Sequence, residues 1–314
     1  MADMVFSGVT FSGGYSITLP PPPSSKAIFG YGLTSVYVSM TNLVSNTGTV
    51  AADTTGVGTA RGYLAAATYG TDKAIFGYGY TGASFSITNL VSNTGVVAAD
   101  TTGVGTARYS LAAAGYGSDK AIFGYGDTGS VTAITNLVSN SGVVATNTTG
   151  VGTSRSGLAA AGYGTDKAIF GYGSPNSGGT FVSMSNLVSN TGVVATDTAG
   201  VGTARQGPAA AGYGSSGQAI IGYGANATPA VSMTNMVSNT GVIASDTTGV
   251  GTARSYLAAA TYGADKAIFG YGSNFSGFAV SMTNLVSTTG VVATDTTGVG
   301  TARQALAAAG YGYA

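Results

Sequence analysis

Apolar residues fall in short blocks along the chain, not in long stripes. Leu111 to Ala114 leads to a Gly-Tyr-Gly turn, and Ala121-Ile122-Phe123 follows, closed by Gly124 and Gly126. A third block lies around Ile134 to Val138, and a fourth runs from Val143 through Thr149. The blocks are rich in β-branched and aromatic types and are bounded by Gly, Asn or Asp, which predicts four short strands. Ser139-Asn140-Ser141-Gly142, like Ser92-Asn93-Thr94-Gly95, reads as a hairpin turn in which glycine supplies a positive φ. The Ala triplets are too short and too closely framed by Gly to hold a helix.

The same pattern recurs along the chain. Lys-Ala-Ile-Phe-Gly-Tyr-Gly begins at Lys26, Lys73, Lys120, Lys167 and Lys266, and stands as Gln-Ala-Ile-Ile-Gly-Tyr-Gly at Gln218. The spacings are 47, 47, 47, 51 and 48 residues. Thr-Ala-Arg ends at Arg61, Arg108, Arg205, Arg254 and Arg303, and Thr-Ser-Arg ends at Arg155. Six copies of a four-stranded unit predict an all-β, six-bladed β-propeller over residues 26–314. The alternative is an open solenoid. One lone first strand follows Arg303, and the copy at Lys26 lacks one. The C-terminal strand is therefore expected to complete the first blade and remove the exposed edges.

The order Arg-x-x-Leu-Ala-Ala-Ala, Lys-Ala-Ile-Phe-Gly-Tyr-Gly, Thr-Asn-Leu-Val-Ser-Asn-Thr-Gly resembles the kelch repeat over about residues 26–314. Gly77-Tyr78-Gly79 and its copies stand where kelch has a glycine pair, and Val or Thr stands where kelch has Trp. The resemblance implies kelch-like blades and says little of function.

Nearly all length variation among the copies sits in one place, and content varies most in two. One is the loop between second and third strands, which varies in length and content and holds Tyr80, Asp127, Asn176, Asn226, Asn274 and Phe275. The other is the pair after each Arg, which holds Tyr63, Tyr109 and Tyr256. In an up-and-down blade both leave from one end of the strands. These nine residues are the candidate binding face, since loops on a rigid scaffold are where recognition concentrates. The Asp-Lys and Ser-Asn-Thr-Gly turns occupy the opposite, constant face.

Composition narrows the chemistry. The chain has no His, Cys, Trp or Glu, its eleven acids are all Asp, and its eleven cations balance them. That excludes disulfides, Cys/His metal sites, Ser–His or Cys nucleophiles and a Glu acid–base pair. Charged residues are only 7% of the chain, so no electrostatic pull toward nucleic acid or anionic lipid is expected. Nor does any apolar run approach the roughly 20 residues that span a bilayer, and no secretory signal is evident. Sialidases are also propellers, but their Asp-box needs Trp and their catalysis Glu. Arg61, Arg108, Arg155, Arg205, Arg254 and Arg303 are expected to be structural, each bonding carbonyls or the Asp eight residues earlier, as Asp100 with Arg108. The Asp-Thr-Thr-Gly-Val-Gly loops offer one carboxylate each, too few for calcium. No metal or cofactor is expected.

Residues 1–25 are not a repeat copy. Val5 to Leu19 alternates apolar and polar positions like one or two strands, and Pro20 to Pro23 make a stiff spacer. Unpaired strands seek an edge, so this segment is expected to dock into a larger assembly. It is similar to the attachment ends of structural proteins in tailed bacteriophages. The resemblance implies a non-enzymatic virion protein, a decoration, fibre or tail-associated adhesion subunit. Such a protein is made in the host cytoplasm and is extracellular once assembled. Its partners would be other virion proteins through residues 1–25 and a host-surface glycan or protein at the loops. The alternative is a free carbohydrate-binding propeller lectin.

Overall fold

The computed structural model describes residues 25–312, apart from 177–178, 227–229 and 275. The docking arm expected in the first 24 residues, and Phe275, lie outside the described residues. Those described form small antiparallel sheets in a propeller-like, all-β arrangement, with no helix among them.

Six sheets have three strands each. The second sheet is typical: Ala65–Tyr69 pairs with Lys73–Tyr80, which pairs with Ser84–Val91. The third holds Ala112–Tyr116, Lys120–Gly124 and Thr135–Val138, each within about two residues of the predicted spans. The fourth begins with Ala159–Tyr163, the fifth with Ala209–Tyr213 and the sixth with Ala258–Tyr262. The first sheet is built from both chain ends. Ala307–Tyr311 pairs antiparallel with Lys26–Leu33, which pairs with Tyr37–Val44.

Where a regular fourth strand was predicted, only isolated bridges occur. Val138 pairs with Val144 and Thr135 with Thr148. The first pair of positions is three residues apart and the second four, so one extra residue interrupts the ladder as a bulge does. A buried asparagine fills the gap. In the second sheet, Asn89 Nδ2 donates to Ala98 O at 3.0 Å and to Asp100 Oδ1 at 2.9 Å.

Both faces of every sheet are buried. In Lys73–Tyr80, Ala74 and Phe76 pack with Ile28, Tyr31 and Ala307, while Ile75 and Tyr78 pack with Leu111, Ala121 and Phe123. Side chains alternate along a strand, so the run Ala-Ile-Phe serves two neighbouring sheets in turn and has no polar member. Further clusters join third to fourth, fourth to fifth and fifth to sixth sheets, and another sets Tyr262, Ile268 and Tyr271 of the sixth against Ala27 and Phe29 of the first. First strands lie against one another across these contacts, which small Ala side chains permit.

Backbone hydrogen bonds link the sheets at both ends. Beyond each Arg, Tyr63 N donates to Ala305 O, Ser110 N to Tyr63 O, Gly157 N to Ser110 O, Gly207 N to Gly157 O, Tyr256 N to Gly207 O and Ala305 N to Tyr256 O, all at 2.7–2.9 Å. These six residues share a left-handed φ of 51–63°. At the opposite end Gly70 N donates to Asp119 O, Gly117 N to Asp166 O, Gly263 N to Ser25 O and Gly312 N to Asp72 O.

Candidate functional site

The six arginines are fully buried. Arg155 Nε donates to Tyr172 O at 2.9 Å, Nη1 to Thr153 O at 3.0 Å and Nη2 to Asn186 Oδ1 at 2.5 Å. Its guanidinium also lies 4.4 Å from the ring centre of Tyr125 in the preceding sheet, in the geometry of a cation–π contact. Arg61, Arg108, Arg155, Arg205, Arg254 and Arg303, expected to be structural, are all buried, but the acid partner differs from the expected one. Asp100 pairs with Arg61 at 3.8 Å, not with Arg108. Arg61 opens the sheet to which Asn89 and Asp100 belong, whereas Arg108 already opens the next, so the bolt runs across one sheet and not along eight residues of chain. The first sheet repeats this with both chain ends: Arg303 lies 3.8 Å from Asp53, and Thr301 Oγ1 donates to the same carboxylate at 2.6 Å.

One copy departs. Asn147 stands where the others have Asp, and Arg108 Nη2 and Asn136 Oδ1 are left buried without a hydrogen-bond partner. Burial pushes the Asp53, Asp100, Asp197, Asp246 and Asp295 carboxyls up. Hydrogen bonds from Thr and Asn, with the Arg charge, outweigh it and hold them below the ordinary value. A carboxyl depressed on folding stabilises fully above its unfolded pKa of about 3.9, and that stability is lost as pH falls through the folded value. Asn147→Asp is therefore expected to stabilise the protein at pH 7 by on the order of 1 kcal/mol, a gain that shrinks as pH falls below the unfolded carboxyl value of about 3.9. Thermal melts of both proteins across this range check it. A gain that does not shrink as the carboxyl is protonated contradicts the assignment.

The Gly-Tyr-Gly tyrosines are buried between sheets. Tyr78 is left-handed (φ 64°), its hydroxyl donates to Val104 O at 3.1 Å, and its ring centre is 5.1 Å from that of Phe123 in the next sheet. A Cβ on Gly77 would come within 2.7 Å of Phe123 Cζ, so the first glycine is fixed by close approach. Burial pushes the phenols of Tyr31, Tyr125 and Tyr223 up to about 12, which keeps these hydroxyls protonated as donors.

The two variable segments are neighbours in space. The residue after each Arg bridges to the start of the second-to-third loop, as in Gly62 with Tyr80, Tyr109 with Asp127 and Arg254–Ser255 with Ser273–Asn274. Four predicted site residues come together there. Tyr80 and Tyr109 have ring centres 5.0 Å apart, Tyr109 and Tyr63 6.2 Å, and Tyr63 and Tyr256 5.7 Å. Tyr37 extends the array from Tyr80 at 6.3 Å, and Gln206 Nε2 donates to the Tyr256 hydroxyl. Sequence comparison missed both. Gln206 was signalled by its place in the variable pair after Arg205. All five tyrosines are half-buried. Burial pushes the Tyr63, Tyr109 and Tyr256 phenols up, with Asp127 adding to the effect at Tyr109. These three phenols are thus neutral at pH 7, with Asp127 at the edge of the array. Beneath it lies a cavity of about 90 Å³ lined by Tyr63, Tyr256, Pro208 and five leucines.

Asn176, Asn226 and Asn274 lie outside this array. Asn176 and Asn226 are exposed in loops of the fourth and fifth sheets, and Asn274 Oδ1 accepts from Phe278 N at 3.0 Å in the sixth. Phe278, 70% exposed, follows in that loop. Among the described residues no group of three or more Asp is placed to hold a metal ion.

No family model matches the chain, and no curated protein matches it. A solved structure titled "Structure of YjhT" is similar with a TM-score of 0.62 and 10% identity, covering 87% of this chain and 97% of that one. At that identity the likeness speaks for the fold alone.

Proposed function

We propose that this chain is a non-catalytic recognition protein: a closed, six-bladed propeller with kelch-like blades, tethered at one face and binding through the other. Closure is supported by the pairing of Ala307–Tyr311 with Lys26–Leu33 and by the six linked amides that return from Ala305 to Tyr63. Recognition is supported chiefly by the tyrosine array, in which side chains from separate variable loops form one amphipathic surface. Tyrosine supplies large, rigid contact area at low entropic cost, and such residues dominate binding energy where they cluster.

The tether is the segment before Ser25. Ser25 O accepts from Gly263 N, and Ser25 Oγ from Ala264 N, in the first turn of the sixth sheet. The arm thus joins the body at the constant end, opposite the tyrosines. A particle carrying many copies by this arm, as in the virion role, would present every tyrosine array outward, and weak single contacts would add as avidity. The ligand is a glycan or protein of the host surface.

Binding of the full chain to host cells, with Tyr80→Ala/Tyr109→Ala and a deletion of residues 1–23 alongside, tests this. The double variant should keep its melting temperature and lose binding by at least about tenfold. The deletion should keep both and no longer enter the particle. Undiminished binding by the folded double variant contradicts the recognition role.

A further inference from the structure

A larger cavity, of about 550 Å³, opens among the first-to-second turns at the constant end. Its size falls in the range of small-molecule sites, and it is separate from the tyrosine array. Lys120 and Lys167 are in its wall, and no Asp is among its lining residues. Each lysine is ion-paired with the Asp before it, at 2.8 and 2.9 Å, and that Asp is shared with an asparagine. Asp119 Oδ2 accepts from Asn140 Nδ2 and Asp166 Oδ2 from Asn190 Nδ2, each at 3.1 Å, while the other oxygen of each takes one bond from its lysine. Each ammonium has three protons, so two per lysine remain for a ligand.

The rest of the wall needs donors. Thr68 Oγ1 already donates to Gly310 O and Thr261 Oγ1 to Gly212 O, both at 2.8 Å, and both hydroxyls are left to accept. Gln218 replaces Lys in this one copy, which leaves an uncharged amide at that point of the wall. A bare oxyanion satisfies the lysines but not these acceptors, and a neutral polyol does the reverse.

We propose that this cavity binds a small hydroxylated oxyanion, of the class of a monosaccharide phosphate or a polyhydroxy acid. The chain has no Trp, and Tyr69, Tyr116, Tyr163 and Tyr213 line the cavity, so tyrosine emission reports on it. Full-length protein is titrated with glucose 6-phosphate, gluconate, inorganic phosphate and glucose, by fluorescence and calorimetry. At least one of the first two should bind saturably and more tightly than both inorganic phosphate and glucose, and added salt should weaken it. Lys120→Gln/Lys167→Gln, whose lysine side chains are 44–45% exposed, should weaken it at least about tenfold. Tyr80→Ala/Tyr109→Ala should leave it unchanged. No saturable binding below about 10 mM, glucose binding as tightly, salt-independent binding, or full binding by the folded lysine variant would overturn the proposal.

Discussion

Deleting residues 304–314 is expected to make the protein aggregate. The deletion strips the first sheet of its first strand and removes the five pairings from Lys26–Tyr311 to Gly30–Ala307. It also takes Leu306 and Tyr311 out of two inter-sheet clusters. Burial of those two side chains alone contributes about 2–3 kcal/mol each, against a total stability of about 5–15 kcal/mol. The strand Lys26–Leu33 would then expose a long edge with apolar side chains on both faces, which is a template for pairing with other chains. Soluble fraction and size-exclusion profile measure the effect. A truncated protein that stays monomeric with an unchanged melting temperature contradicts a structural role for the C-terminal strand.

The second large effect is on the arginines. Arg155→Ala removes donors from Tyr172 O, Thr153 O and Asn186 Oδ1 and leaves Asp197, 3.8 Å away, without its cation. Breaking a buried charged network from one side costs about 3–5 kcal/mol, a fall in melting temperature of about 5–10 °C for a chain of this size. Arg108→Ala should cost clearly less. Arg108 still bonds Tyr125 O at 2.8 Å and Thr106 O at 3.1 Å, but its Nη2 has no partner and Asn147 carries no charge. Differential scanning calorimetry of both variants decides the ranking. Equal losses would mean that the Asp and Asn partners contribute nothing.

The first three strands of each unit were legible because both of their faces are buried. Ala-Ile-Phe has no polar interruption when each side chain enters a core. The fourth strand was misread. Val143 through Thr149 has strand composition, but its ladder is interrupted by an extra residue and by the inserted Asn136 amide, which bonds Ala145 O at 2.9 Å. The partner of Arg108 was misread because the repeat phrase ends at the arginine, while the sheet begins there. A left-handed Tyr78 could not be foreseen, since that conformation is rare for residues other than glycine and depends on the packing around the ring. Among the site residues, Tyr63, Tyr80, Tyr109 and Tyr256 were visible as departures within an otherwise repeated sequence. Tyr37 was not, because only the folded loops bring it to Tyr80. The cavity at the constant end depends on how the first strands converge, with Thr68 and Thr261 on either side of Gly115, Gly162 and Gly212 along its wall.

Ring closure is tested most directly by amide-resolved hydrogen exchange on the intact protein. The Tyr63 amide, whose acceptor Ala305 O is at the far end of the chain, should exchange at a rate within about tenfold of the Ser110 amide, bonded to its neighbour Tyr63 O. The Gly312 amide, bonded to Asp72 O, should be slow as well. Fast exchange at Tyr63 and Gly312 beside slow exchange at Ser110 and Gly157 would describe an open superhelix and contradict the closed propeller.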